Sequence, residues 1–461
     1  MKKKMDLGND KILNLLIRLS VPTIMAQLVN IMYNIVDRMF IGRLDNGEIA
    51  MAGLGVAFPI ITLVSAFSSL IGSGGAPLVA MKMGKKDTEG AEEILSNSFS
   101  TLIIIAGILT IGLLIFQEPI LWAFGASEAT IGYSIEYLTI YLIGTIFVQI
   151  SLGMNSFINT QGFTKIGMTT VMIGAIVNIV LDPIFIFGFN MGVKGAALAT
   201  LCGQMVSAIW VLKFLFGKQS LLKIRKKYII PKWKIVSAIM ALGVSPFIMQ
   251  ATASLVTISM NNQLSRFGGD LAVSAMAIMS SIMQIVSLPM QGLSQGAQPI
   301  LSYNYGAKNI KRVKDSFRLL LITCLGFSFL MWSALMLFPD IFVKIFNNDS
   351  ELLSITSWSI KIYFSGIFLF GAQMACQQTF LSLGQAKISA FLALFRKVIL
   401  LVPLAFILPI LLPGNKLQLV LLAEPIADII SALTTSVCFY VFYKNKLMNM
   451  ENEKIDFVES T

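Results

Sequence analysis

"LSVPTIMAQLVNIMYNIVDRMFIGRL", residues 19–44, has a counterpart in the second half of the chain: "LGVSPFIMQATASLVTISMNNQLSRFGG", residues 242–269. Pro22 falls over Pro246 at a shift of 224. Both lie in predominantly apolar runs longer than the ~20 residues that a helix needs to cross a bilayer. Further matches keep nearly the same shift. "GAPLVAMKMGKKD" lies over "AQPILSYNYGAKN", with Pro77 over Pro299 at 222. "TQGFTK" lies over "SLGQAK", and Tyr141 over Tyr363, again at 222. The chain therefore reads as one membrane-embedded plan written twice.

The composition agrees with this. Of 461 residues, 56% are hydrophobic and only 13% charged, and the mean hydropathy is +0.78. A soluble protein carries roughly twice that share of charge. The net charge of +11 does not indicate a nucleic-acid partner. Its Lys and Arg gather in short loops between apolar blocks, as the positive-inside rule requires of a membrane protein. There are no His residues, which excludes His-based catalysis and the His-containing zinc motifs. Cys202, Cys324, Cys376 and Cys438 lie in apolar blocks without CxxC spacing and read as small buried hydrophobes. The first apolar segment continues to about Gly42 without a small-residue cleavage site, so a retained first span is expected.

Polar, Gly- and Pro-containing breaks place spans near 12–41, 48–82, 93–117, 131–159, 165–188, 193–216, 234–267, 271–303, 314–338, 352–382, 387–412 and 417–443. The second and eighth contain Pro and Gly and are expected to bend. The runs "KMGKK", "KQSLLKIRKKYIIPKWK" and "KNIKRVK" fall on one side, which is assigned to the cytoplasm together with both termini. The expected fold is an all-α polytopic membrane protein of twelve transmembrane helices. They form two six-helix bundles related by a pseudo-two-fold axis along the membrane normal. The expected units are an N-terminal bundle over 1–216, a basic cytoplasmic linker over 217–233, a C-terminal bundle over 234–443 and a cytoplasmic tail over 444–461. Two bundles that rock about a shared cavity are a transporter architecture.

An ionisable residue inside a span costs about 2.5–3.5 kcal/mol on insertion scales, so each one needs a reason. The first half has Asp37 in "YNIVDRMFIG" and Asp182 in "NIVLDPIFIF". At ~1.5 Å per residue, both lie in the outer halves of their spans, level with Tyr137 and Thr200. Asn178 is four residues before Asp182, on the same helix face. Such an oxygen-rich cluster suits a hard cation such as Na⁺. Two neighbouring carboxylates also repel, which equips one of them to carry a proton instead. A hydrogen-bonded cluster that only locks helices together is the structural alternative. Pro183 frees the carbonyl of residue 179, and with Pro22 and Pro246 it marks a place where a span can change shape. In the second half Asp37 aligns with Asn261 and Asp182 with Leu404, so a cation site belongs to the first half alone. Arg396, Lys397, Glu424 and Asp428 read as a buried ion-pair group, with substrate contact as the alternative. Gln27, Asn30, Asn34, Met260, Asn261, Met283 and Gln284 are candidates for a substrate cavity between the halves, the methionines as adaptable apolar contacts.

The chain resembles the MATE (multidrug and toxic compound extrusion) transporters, in the bacterial multidrug export branch. The resemblance covers all twelve spans. It rests on the stretch from Val21 to Leu44, on "TQGFTKIGMTTVMIGAIVNIVLDPIFIFGFNMGVKGAALATLCGQ", on "SYNYGAKN" and on "LAEPIAD". It implies an antiporter, not an enzyme, that expels mostly cationic organic compounds in exchange for Na⁺ or H⁺. The coupling-ion residues it implies are Asp37, Tyr137, Asn178, Asp182 and Thr200, and the choice of Tyr137 over Tyr141 comes from the family spacing. Some branches place a carboxylate on the seventh helix, where this chain has Asn261 and Asn262. No cofactor beyond the coupling ion is expected, and the expected partners are membrane lipid and small organic cations, with the chain a monomer in the plasma membrane. The rival is a flippase or exporter of a lipid-linked or other amphiphilic metabolite. A pyrophosphate-binding cavity would want several Arg in the first bundle, where the spans offer essentially Arg18 and Arg38 near helix ends.

Overall fold

The computed structural model describes residues 5–346 and 349–450, and their secondary structure is helical. The far part of the expected tail, 451–461, and residues 1–4 lie outside the described residues. The N-terminal bundle comprises α1 (Ile12–Ile41), α2 (Gly47–Gly84), α3 (Thr88–Ala123), α4 (Ile131–Ile143 with Thr145–Thr160), α5 (Thr164–Gly188) and α6 (Val193–Phe216). The helical stretch Trp233–Gly306 has 74 residues and would extend about 110 Å if straight, several times a bilayer core. It turns at Gly269, whose φ of 63° lies in the left-handed region that glycine tolerates. Its two arms are α7 and α8. The C-terminal bundle continues with α9 (Ile310–Leu337), α10 (Ser350–Tyr363 with Ile367–Ser382), α11 (Ala386–Leu411) and α12 (Lys416–Met450). The result is twelve spans in two six-helix bundles.

The internal repeat is visible in local geometry. Lys86 and Lys308, 222 residues apart, both have positive φ, 60° and 56°. Each precedes an N-cap: the Asp87 side chain accepts from Gly90 N, and that of Asn309 from Arg312 N. Lys82 and the Gly90 amide hold the Asp87 carboxyl below its ordinary range. α4 bends by 59° around Gly144, and α10 by 48° before Ile367, the equivalent place. Bending was expected in spans 2 and 8. α2 and α8 run without a helical break, with Pro77 and Pro299 buried inside them. α3 is also longer than its expected 93–117, since the polar first turns after Asp87 are helical too.

The bundles meet at the end that carries the basic loops. The hydroxyl of Thr23 on α1 donates to the Gly292 carbonyl of α8 at 2.6 Å, and Ser20 donates to that of Leu293 at 3.3 Å. Gln250 of α7 donates to Ser69 of α2 at 2.7 Å. Leu15, Leu16 and Leu19 of α1 pack into one apolar cluster with Ile300 and Leu301 of α8. Backbone approaches backbone here. A Cβ on Gly243 would lie 1.7 Å from the Leu70 carbonyl oxygen, and one on Gly306 2.0 Å from that of Met81.

The expected basic linker is not a free loop. Gln161 Oε1 accepts from Ser220 Oγ and from the amides of Leu221 and Leu222. Glu92 accepts from Lys223 N and Arg225 Nε, and Asn97 Oδ1 from Lys232 N. The linker is thereby strapped to α3 and the end of α4. Conversely, Arg312 of α9 donates to the Leu7 and Asp10 carbonyls, so the segment before α1 is held by the C-terminal bundle.

Candidate functional site

α5 carries Asn178 and Asp182 one turn apart, and close contact with α6 brings Thr200 to them. A Cβ on Gly203 would fall 2.7 Å from the Gly174 carbonyl oxygen, and one on Gly195 2.7 Å from the Phe185 carbonyl carbon. Glycine at both places lets α6 lie against α5. Asn178 Nδ2 then reaches Asp182 Oδ1 and Thr200 Oγ1, each at 3.3 Å. Tyr137 of α4 lies close to Thr200 and within electrostatic reach of Asp37. Asp37 of α1 in turn acts on Asp182. The sequence-derived set of Asp37, Tyr137, Asn178, Asp182 and Thr200 is thus gathered in one place, and all five are buried.

Three oxygens of this cluster lack a partner. Asp37 Oδ1, Asn178 Oδ1 and Asp182 Oδ2 are buried without a hydrogen-bond partner. Among the described residues no ion pair reaches Asp37 or Asp182. Arg38 is adjacent to Asp37, but its guanidinium lies over the Phe58 ring at 5.2 Å. Buried polar atoms are normally satisfied. Three unsatisfied oxygens, two of them on carboxylates, form a donor set that fits a small hard cation or a proton. Directly after Asp182, Pro183 supplies no amide, and the chain winds as a π-helical turn over Ile184–Gly188. Such turns are often found at functional sites. Tyr33 also lies within electrostatic reach of Asp37 and was missing from the sequence-derived set. Its position one turn before Asp37 was the available signal. Tyr141 stacks on Tyr137 at 6.4 Å and bonds Ser65.

Pro22 is buried within α1, and Pro246 lies inside α7. Of the candidate cavity residues, Asn30 and Gln284 are exposed, and Gln27, Asn34, Asn261 and Met283 are partly buried. The Asn34 amide donates to the Asn30 carbonyl at 2.7 Å. Met260 must be removed from the set. It is 1% exposed and packs in the core of the C-terminal bundle, because it points toward Leu264 and its neighbours rather than outward.

The second bundle carries its buried charges on its last two helices and pairs them internally. Arg396 of α11 donates to Asp428 at 2.7 Å and to Glu424 at 3.1 Å, both on α12, and lies over the Phe370 ring at 5.0 Å. Lys397 donates to the Met249 carbonyl at 2.8 Å. Here the carboxylates have a built-in cation. The four cysteines are free, Cys324 and Cys376 buried and the other two partly so.

A pair of parallel six-helix bundles, with an unneutralised acidic cluster buried in the first, defines the class: a multi-pass membrane transporter. The chain belongs to the MatE family, whose model matches residues 22–184 and again 246–407, once per bundle. It is 25% identical over 389 residues to the multidrug export protein MepA of Staphylococcus haemolyticus strain JCSC1435, covering 84% of this chain and 85% of that one. It is 24% identical over 390 residues to MepA of Staphylococcus aureus strain NCTC 8325, with the same coverage. The fold matches a crystal structure of MATE in the bent conformation, with a TM-score of 0.90 at 21% identity over 98% of this chain and 99% of that one. A multidrug resistance MATE family transporter in an outward-facing conformation gives 0.88, also at 21%, with the same coverage.

Proposed function

We propose that this transporter exports organic, mostly cationic compounds across the plasma membrane by antiport, driven by Na⁺ or H⁺ moving inward. The observation that carries the reading is the set of three unpartnered buried oxygens around Asp37 and Asp182. A cation or proton bound there would satisfy them. Binding would also draw together α1, α5 and α6, which supply Asp37, Asp182 and Thr200.

The basic end is the cytoplasmic one, with both termini on that side. In the present arrangement the bundles are closed at that end, through Thr23–Gly292, Ser20–Leu293 and Gln250–Ser69. Asn30 and Gln284 are exposed near the depth of the membrane middle, where an amide facing lipid is costly. They are better placed on a watery cavity between the bundles. Cation loading from the outside lowers affinity for the compound bound there, and the emptied carrier reopens at the cytoplasmic end. The name of the relative MepA supports multidrug export as the physiological role.

The test is efflux of ethidium from loaded cells or vesicles under an imposed Na⁺ gradient or pH gradient, applied separately. One of the two should drive export, and Asp37→Asn and Asp182→Asn should abolish the driven part at normal expression. Driven export that survives both substitutions would refute the site. No response to either gradient would refute the antiport.

A further inference from the structure

We propose that Arg312 is a gating residue: it clasps the segment before α1 to the second bundle and so opposes opening at the basic end. Each bundle's first helix is preceded by a segment bound to the other bundle. The linker before α7 is strapped to α3, in the bundle from which the linker comes, so its bonds do not oppose rocking. The segment before α1 leads straight into the first bundle, yet it is bound by α8 and α9 of the second. Its bonds, like those of Ser20 and Thr23, are therefore strained when the bundles separate at this end.

The segment is a folded turn rather than a loose end. Asp6 Oδ1 accepts from the Gly8 and Asn9 amides at 2.9 Å and 3.2 Å, and the Asp6 amide donates to Asp10 Oδ2 at 3.1 Å. Such side-chain bonds fix a turn. Leu7 within it is 6% exposed and joins the apolar cluster that contains Ile310 and Val313 of α9. Arg312 donates to the Leu7 carbonyl at 3.2 Å and to that of Asp10 at 2.7 Å. The buried Asn304 of α8 donates to the Leu7 carbonyl at 3.0 Å and accepts from Arg312 Nε at 3.2 Å. Among the described residues Arg312 forms no ion pair, so its donors serve this segment and the Asn304 that helps to hold it.

There is little slack between the clasp and the helix it leads into. α1 begins at Ile12, and Lys11, the one residue between Asp10 and α1, is already extended, with φ −57° and ψ 127°. α1 is held by the first bundle as well, where Thr164 Oγ1 of α5 donates to the Arg18 carbonyl at 3.3 Å. To separate the bundles at this end, either the segment leaves Arg312 or the first turn of α1 unwinds. The proposal rests on the reading that the carrier reopens at the cytoplasmic end. Its test needs neither ion nor substrate, so the two fail separately.

The experiment is maleimide labelling of the purified full-length protein in nanodiscs, with Cys202, Cys376 and Cys438 replaced by Ser and the labelled peptides resolved by mass spectrometry. Ala297→Cys reports opening between the bundles, since Ala297 is 1% exposed in one cluster with Leu15, Leu16 and Leu19 of α1. Cys324, buried within the second bundle, reports that bundle's integrity. Arg312→Ala should accelerate labelling at position 297 about tenfold to a hundredfold, the factor for the net loss of one charge-assisted hydrogen bond. Leu7→Asp, which expels the segment from its apolar cluster, should do the same. The two substitutions together should exceed neither, because either one frees the same segment. Cys324 should stay unreactive throughout. Unchanged labelling at position 297 in Arg312→Ala, or additive effects of the two substitutions, would overturn the proposal. So would acceleration at Cys324, which would mean that the second bundle itself has loosened. No labelling at position 297 in the parent or in any variant would refute the opening itself, and with it the export cycle on which the proposal rests.

Discussion

At the scale of single residues, the two bundles answer the same question in opposite ways: what balances a carboxylate buried in a membrane protein. In the second bundle Arg396 does so, at 2.7 Å from Asp428 and 3.1 Å from Glu424. In the first bundle no cation pairs with Asp37 or Asp182, and Asp37 Oδ1 and Asp182 Oδ2 stay unpartnered. Two expectations follow. Asp182→Asn should leave the thermal stability of the cation-free protein unchanged or raised, because it removes an uncompensated buried charge without changing shape. The same substitution should remove the stabilisation given by the coupling cation, which is about 2.7 kcal/mol at a hundredfold excess over the dissociation constant. Melting curves with and without Na⁺, at two pH values, separate these effects. Arg396→Met should destabilise by about 3–5 kcal/mol, since it strands two carboxylates, and adding Glu424→Gln and Asp428→Asn should restore much of the loss. These charges were legible in the sequence because each interrupts a long apolar run. The pairing partner of each was not, because pairing depends on how neighbouring helices are rotated. Asp37 and Asp182 are far apart in the chain, and only helix packing brings them to one site.

At the scale of helices, the contact between bundles depends on missing side chains. Gly74 of α2 lies against α7, where an added Cβ would be 2.2 Å from the Ile239 carbonyl oxygen. Its repeat equivalent, Gly296 of α8, lies against Ser20 of α1, with 2.3 Å to Oγ. Small residues let helix backbones approach closely, and within a membrane that packing is a main source of association. A methyl group at Gly243, 1.7 Å from the Leu70 carbonyl oxygen, cannot be accommodated without separating α2 from α7. Gly243→Ala should therefore shift the carrier toward the form open at the basic end. The readout is disulfide formation between Ser69→Cys and Gln250→Cys in a background free of native cysteines, where the parent side chains meet with Gln250 Nε2 2.7 Å from Ser69 Oγ. The yield should fall several-fold, and an unchanged yield would mean that the closed contact does not depend on this crossing. Helix number and order follow from the apolar runs, but bends do not. The breaks in α4 and α10 fall in segments without proline, so proline gave no signal of them. Both breaks fall at a buried glycine, Gly144 packed against Leu201 and Gly366 against Pro425.

At the scale of the whole molecule, the proposed cycle needs the two bundles to rock about a joint, and the bonds of the linker bear on where that joint would lie. The linker contributes little slack, since its amides at Leu221, Leu222, Lys223, Arg225 and Lys232 bond to Gln161, Glu92, Ser96 and Asn97 of the first bundle. Its basic side chains pair with that bundle as well, Arg225 with Glu92 at 2.7 Å and Lys232 with Glu93 at 2.6 Å. The linker therefore moves with α1–α6, and the pivot falls at the start of α7, immediately after Lys232. From the sequence this stretch reads as an orientation signal only. Its acidic partners lie more than a hundred residues earlier, and nothing in the local pattern pairs them. Trypsin distinguishes a strapped linker from a free one. Although rich in Lys and Arg, the linker should resist cleavage in the folded protein, because a protease must first lift it from α3. Glu92→Ala removes the acceptor of both Lys223 N and Arg225 Nε. Bonds to a charged group are worth about 1.5–3 kcal/mol, so the lifted state should become about ten- to a hundredfold more populated. Cleavage between the bundles should accelerate by the same factor as long as lifting and closing outpace the protease. Equal cleavage rates for wild type and Glu92→Ala would show that the strap does not hold, and would return the pivot to the linker itself.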